Sequence, residues 1–298
     1  MADEKPKPEV RLDQLTGLRT ILSPARAERP FDFGGTPTEE GGEAAEKCPF
    51  CEGREDRTPP ETLALPATIR EPNSPGWVVR VVANKYPAFE RQEVVVHSPV
   101  HVRSIAELGD GQLEFVAQAW GLRLLAAREE GFEHVFACMN EGKAGGASLA
   151  HSHSQLVWLR EQPPVPAAEQ RGDGCRVCDY LARERREGSR VVLEREGLLL
   201  LCPYASRAPY ECLVAPLEHE SSGFQSGLLG GALALAAEAL RRLHGLVGPQ
   251  PANLWLHEGG HWHLELLPRL TVFASVELGA GYYVNTLRPE DAAEALQA

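Results

Sequence analysis

The chain has 298 residues, 43% of them hydrophobic, with a formal net charge of -12 at pH 7 and a pI near 5.4. This length and apolar content can build a sizeable core in one large or two medium domains. The acidic balance argues against nucleic-acid binding, which needs clustered Lys and Arg, but permits a small anionic ligand. The charged N-terminus has no apolar core and no stretch resembles a membrane span, so we expect a soluble, cytoplasmic protein with no membrane partner.

In chain order, the sequence predicts the same series of elements twice. Residues 1–47 are rich in Pro, Gly and Glu, which indicates an irregular arm. Apolar patterns then predict strands at 77–83, 93–97, 134–139 and 155–159, and a helix at about 110–130. After a Pro-rich linker at 162–167, strands are predicted near 191–201, 211–215, 253–257 and 262–267, with a helix near 228–246. We therefore predict an α+β fold of two similar domains, residues 1–161 and 162–298, each with its own antiparallel sheet and flanking helices.

Both halves carry the same ordered set of metal-binding residue types. Each has a Cys-x-x-Cys pair, then one distant histidine, then a His-x-His motif. Two nearby thiolates and two distant histidines form the tetrahedral set that zinc favours, and four protein ligands leave no position for a reactive water. The predicted ligands of two structural zinc sites are Cys48, Cys51, His101 and His151 in the first half, and Cys175, Cys178, His219 and His261 in the second.

A second ligand set competes for the metal of the second half. Glu169 with His257, His261 and His263 is a harder group that suits iron or zinc. The cysteine set is favoured because two thiolates at this spacing bind zinc firmly. Glu265, two positions beyond His263, belongs either to a vestigial catalytic strand or to a support for the metal.

The first His-x-His motif follows a Gly-rich turn at residues 140–148 and carries the residues suited to chemistry. Because residues two apart share one face of a strand, His151, His153 and Gln155 lie side by side. With His151 bound to metal, His153 is either a neutral imidazole able to attack phosphorus or a buried structural histidine, and the first interpretation is favoured. The Gln155 amide can donate to a phosphoryl oxygen. The backbone N–H groups and the Ser148 hydroxyl of the turn can hold phosphate.

The segments 23–30, 48–51, 146–155 and 277–281 together resemble the galactose-1-phosphate uridylyltransferase branch of the histidine-triad superfamily, and the resemblance covers nearly the whole chain. It implies two fused histidine-triad-like halves related by internal duplication, a homodimer, and ping-pong transfer of a nucleotide through the second histidine of His-x-His. In this sequence His153 would attack the α-phosphorus of a nucleoside diphosphate sugar while Gln155 steadies the phosphoryl oxygens. The implied substrate-binding residues are Arg26 and Arg29 for phosphates, Asn84 for the nucleoside, and Asn140, Gly146 and Ser148 for the phosphoryl groups.

Three departures from the family pattern bear on specificity. Ser152 replaces the usual proline between the two histidines, and Lys85 replaces the usual aspartate that meets the ribose hydroxyls. The segment 276–285 resembles the branch that contains ADP-glucose phosphorylases. The expected activity is nucleotidyl transfer of the UDP-glucose:hexose-1-phosphate uridylyltransferase type. The alternatives are an ADP-glucose phosphorylase or related hydrolase that uses the same histidine, and a zinc-stabilised nucleotide-binding protein without catalysis.

Overall fold

The computed structural model describes residues 8–28, 43–67, 69–170 and 174–298, in which ten strands form one antiparallel sheet and three form a second, small sheet. The strands are β1 Glu9–Leu12, β2 Arg19–Leu22, β3 Glu61–Leu65, β4 Val79–Ala83, β5 Arg91–Val96, β6 His134–Glu141, β7 His153–Leu159, β8 Val191–Arg195, β9 Leu198–Leu201, β10 Cys212–Pro216, β11 Ala252–His257, β12 His263–Pro268 and β13 Tyr282–Asn285. The helices are α1 Glu43–Lys47, α2 Asp110–Glu129, α3 Pro164–Glu169, α4 Arg176–Glu187, α5 Leu229–Val247, α6 Ser275–Ala280 and α7 Pro289–Gln297. None of these described helices is both long and apolar enough to cross a membrane.

The large sheet contains the same strand order twice. From one edge to the middle the order is β3-β4-β5-β7-β6, and from the other edge it is β8-β9-β10-β12-β11. The two sets meet where β6 pairs with β11, with Asn140 opposite Asn253. The predicted α+β class with antiparallel strands is confirmed, whereas the prediction of a separate sheet in each half is wrong. Unpaired, β6 and β11 would expose rows of backbone N–H and C=O groups, and their pairing removes both edges.

The two faces of the large sheet have different surroundings. Helices α2 and α5 pack together on one face, where Val135, Ala137 and Met139 of β6 are buried against them. The apolar stripe of α2 lies in this core and consists of Leu113, Val116, Trp120, Leu124 and Ala127. Because side chains alternate along a strand, the intervening Cys138 and Asn140 point to the opposite face. The candidate site lies on that opposite face.

Several segments differ from the sequence-based expectation. The described part of the irregular arm includes β1 and β2, which pair with each other, and β13 adds to β2 in parallel. The strand predicted at 191–201 is a hairpin, whose turn at Glu196 and Gly197 has φ values of 51° and 81°, as a tight two-residue turn requires. The predicted linker partly forms α3, which begins at Pro164, because proline is tolerated in the first turn of a helix.

Candidate active site and metal clusters

His153 is placed at the start of β7 with one ring nitrogen free for chemistry. The side chain is buried except for 7% of its surface. Its Nδ1–H donates to the carbonyl oxygen of His151 at 2.7 Å, so the lone pair lies on Nε2. Burial lowers the pKa of His153, although the backbone hydrogen bond partly opposes this. The ring is therefore neutral at pH 7, and Nε2 is a competent nucleophile.

Two primary amides share the sheet face of His153, and each has its oxygen held by another amide. Gln155 Oε1 accepts from Nε2 of Gln92 at 2.6 Å. Asn140 lies on the same face, because it is two residues beyond Cys138 and Cys138 pairs with Gln155. Its Oδ1 accepts from Nδ2 of Asn253 at 2.7 Å. Both NH₂ groups are thus left as donors, which suits a phosphoryl group that gains negative charge during transfer. Neither Gln92 nor Asn253 was predicted, because only the pairing of distant strands brings them here.

The Gly-rich turn after β6 packs tightly against the start of β11. A Cβ on Gly145 would lie 2.8 Å from the carbonyl oxygen of Ala252, so only glycine fits without a shift. The N–H groups of Gly145, Gly146 and Ala147 already donate to carbonyls at residues 142 and 143. These three amides therefore stabilise the turn itself, and contact of its backbone with phosphate stays a prediction. The Ser148 hydroxyl is exposed and remains a possible donor.

The four predicted ligands of the first zinc site form one cluster in the structure. All their ligand atoms lie within 4.8 Å of one another. Sγ of Cys48 lies 3.4 Å from Nδ1 of His151, and Sγ of Cys51 lies 3.6 Å from Nδ1 of both His101 and His151. Tetrahedral zinc, with its usual bond lengths, requires an S···N separation of about 3.5 Å. The donor set therefore fits zinc in spacing and chemistry.

The four predicted ligands of the second zinc site also come together. Sγ of Cys178 lies 3.3 Å from Nδ1 of His219 and 3.1 Å from Nδ1 of His261, and Cys175 completes the group. Nε2 of His261 donates to the carbonyl of Pro216 at 2.9 Å, just as Nε2 of His151 donates to a backbone carbonyl in the first cluster. Such a bond fixes the ring tautomer and leaves Nδ1 as the metal ligand.

The protonation of both clusters is consistent with cation binding. Burial, followed by the neighbouring Cys48, raises the pKa of Cys51 to about 11. Burial, followed by Cys175, likewise raises the pKa of Cys178 to about 11. Burial lowers the pKa of both His151 and His261 to about 4, so their rings are neutral ligands. Adjacent thiolates repel each other unless a cation compensates their charge, and Zn²⁺ supplies that compensation.

The harder ligand set is divided in the structure. His261 lies with the cysteines, while Glu169, His257 and His263 lie with Glu265 in a third, buried cluster. Nδ1–H of His257 donates to Glu169 at 2.9 Å, and its Nε2 accepts from the Trp255 indole N–H at 2.9 Å. Neither ring nitrogen of His257 then keeps a free lone pair for a metal.

Charge within the third cluster is compensated by the protein itself. Arg207 pairs with both Glu265 and Glu211, and Glu265 in turn lies 3.7 Å from Nε2 of His263. Burial lowers the pKa of His263, but the carboxylates of Glu265 and Glu169 outweigh it and raise that pKa overall. This arrangement fits an ion-pair network better than an iron site, and the cysteine set remains the favoured second metal site.

Three predicted substrate residues lie away from β6 and β7 in the sequence: Arg26, Arg29 and Asn84. Arg26 is exposed in a short 3₁₀ helix after β2, and Arg29 lies outside the described residues. Asn84 follows β4, and its Oδ1 accepts from the N–H of Tyr86 at 2.9 Å.

Phe50, in the first Cys-x-x-Cys, was not singled out from the sequence. Its ring packs edge-on against His153 at a centroid distance of 5.3 Å and links the metal cluster to the nucleophile.

Comparisons with known proteins reveal similar enzymes and a similar fold. Residues 85–164 match the family model of galactose-1-phosphate uridyl transferase, N-terminal domain. ADP-glucose phosphorylase of Arabidopsis thaliana is 28% identical over 99% of this chain and 93% of its own length. Galactose-1-phosphate uridylyltransferase of Thermotoga maritima is 26% identical over 97% of this chain and 98% of its own. The crystal structure of an ADP-glucose phosphorylase from Arabidopsis thaliana with bound ADP-glucose gives a TM-score of 0.81 at 26% identity, covering 98% of this chain and 99% of that one.

These relatives are enzymes, and the chain is an enzyme of the nucleotidyltransferase class, as predicted. Its sequence is similar to that of galactose-1-phosphate uridylyltransferases, in agreement with the resemblance seen in its motifs. Its similarity to ADP-glucose phosphorylase extends over almost the whole chain in both sequence and fold, in agreement with the predicted ADP-glucose phosphorylase-like branch.

Proposed function

We propose that the protein transfers a nucleoside monophosphate from a nucleoside diphosphate sugar to a hexose 1-phosphate or to phosphate, through a covalent bond to His153. The observation that carries this proposal is the fixed tautomer of His153, which presents an unprotonated Nε2 on the face shared with the free NH₂ groups of Gln155 and Asn140. A protein that only bound nucleotides would not need a nucleophile oriented in this way.

The proposed reaction has two displacements at the same phosphorus. Nε2 of His153 attacks the α-phosphorus, an N–P bond forms, and the bond from phosphorus to the bridging oxygen breaks, so that hexose 1-phosphate leaves. An oxygen of the second hexose 1-phosphate or of phosphate then attacks the same phosphorus and breaks the N–P bond. Gln155 and Asn140 donate to the non-bridging oxygens, which carry the developing charge in both steps. Arg26, Arg29, Asn84, Gly146 and Ser148 are the further proposed substrate contacts.

Two acceptors are possible in this scheme, and they define the two candidate activities. A hexose 1-phosphate acceptor gives a uridylyltransferase type of exchange, and phosphate gives a phosphorylase. The phosphorylase is supported by the full-length similarity to ADP-glucose phosphorylase. The Asn84-Lys85 pair bears on the donor instead: Lys85 provides no carboxylate to accept hydrogen bonds from ribose, which weakens the case for a uridine nucleotide.

Zinc in the two cysteine and histidine clusters would supply rigidity rather than chemistry in this proposal. His151 would hold the first ion through Nδ1 while its carbonyl fixes the ring of His153, so the metal and the nucleophile share one residue.

The repeated strand order and the repeated ligand order support a further proposal, that residues 1–161 and 162–298 are histidine-triad-like halves related by internal duplication. A homodimer remains part of the proposal on the resemblance alone.

The proposal is tested by intact mass. Parent, His153→Ala and His134→Ala proteins are mixed separately with UDP-glucose, UDP-galactose, ADP-glucose and GDP-mannose and quenched in base, because a phosphoramidate is labile in acid. A gain of one nucleotide in the parent and in His134→Ala, and none in His153→Ala, is the expected result and identifies the base. Adding phosphate or a hexose 1-phosphate to the adduct then shows which acceptor removes it.

Other results would lead to other conclusions. An adduct that persists in His153→Ala would exclude His153 as the nucleophile. Turnover without any adduct would favour direct hydrolysis. Tight equilibrium binding of a nucleotide sugar that survives His153→Ala, with no turnover in the parent, would favour a protein that binds nucleotides without catalysis.

A further inference from the structure

One buried imidazole, that of His97, contacts the start of β7 from the face opposite the candidate site. His97 has none of its surface exposed. Its Nδ1 lies 2.9 Å from the hydroxyl of Ser152, and its Nε2 lies 3.0 Å from the hydroxyl of Ser154. These are the two residues that alternate with His151, His153 and Gln155, so His97 bonds to the strand from the side opposite the substrate.

We call the contacts of His97 with Ser152 and Ser154 the clamp, and further hydrogen bonds support it. The N–H of His97 donates to the carbonyl of Ser152 at 3.2 Å, and the N–H of Ser152 donates to the carbonyl of Val102 at 2.7 Å. The indole N–H of Trp120 donates to the Ser154 hydroxyl at 2.9 Å. A neutral imidazole has one donor and one acceptor, and hydroxyl groups take either role, so both serines are satisfied in either tautomer of His97.

The clamp acts on the peptide that orients the nucleophile. The His151 carbonyl, which accepts from Nδ1 of His153, and the Ser152 N–H belong to one peptide unit. Because that unit is planar, fixing Ser152 also fixes the direction of the His151 carbonyl. The carbonyl in turn sets the rotation of the His153 ring and therefore the direction of its Nε2 lone pair.

We propose that His97 is a positioning residue for the transfer reaction, and that it acts through Ser152 and Ser154 to aim Nε2 of His153. This inference rests on the proposed function. An apolar side chain would fill the same volume beneath the strand, so a purely structural role requires neither of the two hydroxyl contacts. A displacement of the nucleophile by about 1 Å costs on the order of a hundredfold in rate.

The test separates positioning from stability. His97→Phe keeps the volume and removes both hydroxyl contacts, His97→Gln keeps one donor and one acceptor, and Leu124→Ala is a control that destabilises the same core away from the strand. With whichever donor labels the parent, the rate of nucleotidylation in a single turnover is expected to fall between about tenfold and a hundredfold in His97→Phe. His97→Gln should recover part of the rate, Leu124→Ala should react like the parent, and donor affinity should change by less than about twofold in all three.

Two results overturn the inference. One is a His97→Phe protein that loses stability as Leu124→Ala does but reacts at the parental rate. The other is equal hydrogen exchange at the amides of residues 152–155 in His97→Phe and Leu124→Ala, because positioning requires faster exchange in His97→Phe. This second measurement does not need an adduct, so it still tests the inference if the parent forms none and the proposed function itself fails.

Discussion

Gln92 and Gln155 form an amide pair in which only one orientation is compatible with the rest of the network. Nε2 of Gln92 donates to Oε1 of Gln155 at 2.6 Å, while Oε1 of Gln92 accepts from the N–H of Ala88 at 2.9 Å. The backbone N–H can only donate, so the orientation of Gln92 is fixed, and Gln92 in turn fixes Gln155. The amide NH₂ of Gln155 is thereby directed away from Gln92 and left for the substrate.

The first prediction is that Gln92→Glu turns the Gln155 amide around. A carboxylate at this position only accepts, so Gln155 would donate its NH₂ to it and present its oxygen to the phosphoryl group. We expect the nucleotidylation rate to fall by about a hundredfold, the size of the loss when one donor to a developing oxyanion is removed. Gln118→Glu, on the exposed side of α2, adds the same charge and should keep the parental rate. Equal rates in Gln92→Glu and the parent would show that Gln155 does not donate to the substrate.

The second prediction concerns the close contact between the Gly-rich turn and β11. In Gly145→Ala the new Cβ would lie 2.8 Å from the Ala252 carbonyl oxygen, so the turn must shift. Overpacking of this kind costs about 1 to 3 kcal/mol of unfolding free energy, and we expect weaker donor binding as well. Gly111→Ala is the matched control, because nothing lies within 4 Å of its Cβ and the position is helical. That control should be slightly more stable than the parent. Unchanged stability and donor affinity in Gly145→Ala would show that the turn moves freely.

The third prediction concerns metal content. We expect two zinc ions per parent chain and one in either Cys48→Ser or Cys175→Ser, since losing a thiolate from a four-ligand site greatly weakens zinc binding. Cys138→Ser is the control, because Cys138 lies outside all three clusters and should retain both ions. The measurement is metal analysis after dialysis. Two ions in Cys175→Ser would show that the cysteine set is not the second metal site. Iron in that variant would instead favour Glu169, His257, His261 and His263 as ligands.

The sequence predicted those parts of the site whose residues lie close together in the chain, and missed those that only strand pairing brings together. Cys48 and Cys51 are three positions apart, and His151 and His153 are two apart, so their spacing alone predicts a metal pair and a shared strand face. His97 and Gln92 reach the same strand only because β5 pairs with β7, which places Val96 opposite His153 and Val94 opposite Gln155. No periodicity in a single sequence gives that register.

The fold shows the same division between local and long-range information. The helix predicted at about 110–130 is present as α2, and Val116, Trp120 and Leu124 of its apolar stripe are buried. The junction of the two halves was not visible, because Asn140 and Asn253 are far apart in sequence and both are polar. Strand β13 pairs in parallel with β2, from the opposite end of the chain, and its four residues Tyr282–Asn285 carry too short a pattern to be recognised alone.

The final prediction follows from a buried carboxyl group at the end of β6. Burial raises the pKa of Glu141 to about 7, although hydrogen bonds from the Ile105 N–H and the Ser104 hydroxyl partly oppose the shift. The folded protein therefore binds this proton more tightly than the unfolded chain, whose pKa for the group is near 4.5. The resulting stabilisation is fully present below the unfolded value and is lost as pH rises towards 7.

Glu141→Gln removes this titration while keeping the shape of the side chain. From about pH 5 to about pH 8 we expect its unfolding free energy to rise relative to the parent by roughly 2 to 3 kcal/mol, since each pKa unit corresponds to about 1.4 kcal/mol. Urea unfolding at the two pH values measures the difference, and the exposed Glu133→Gln provides the control for charge removal. A difference between variant and parent that does not change with pH would mean that Glu141 ionises normally in the fold, and that Ser104 and Ile105 fully compensate its burial.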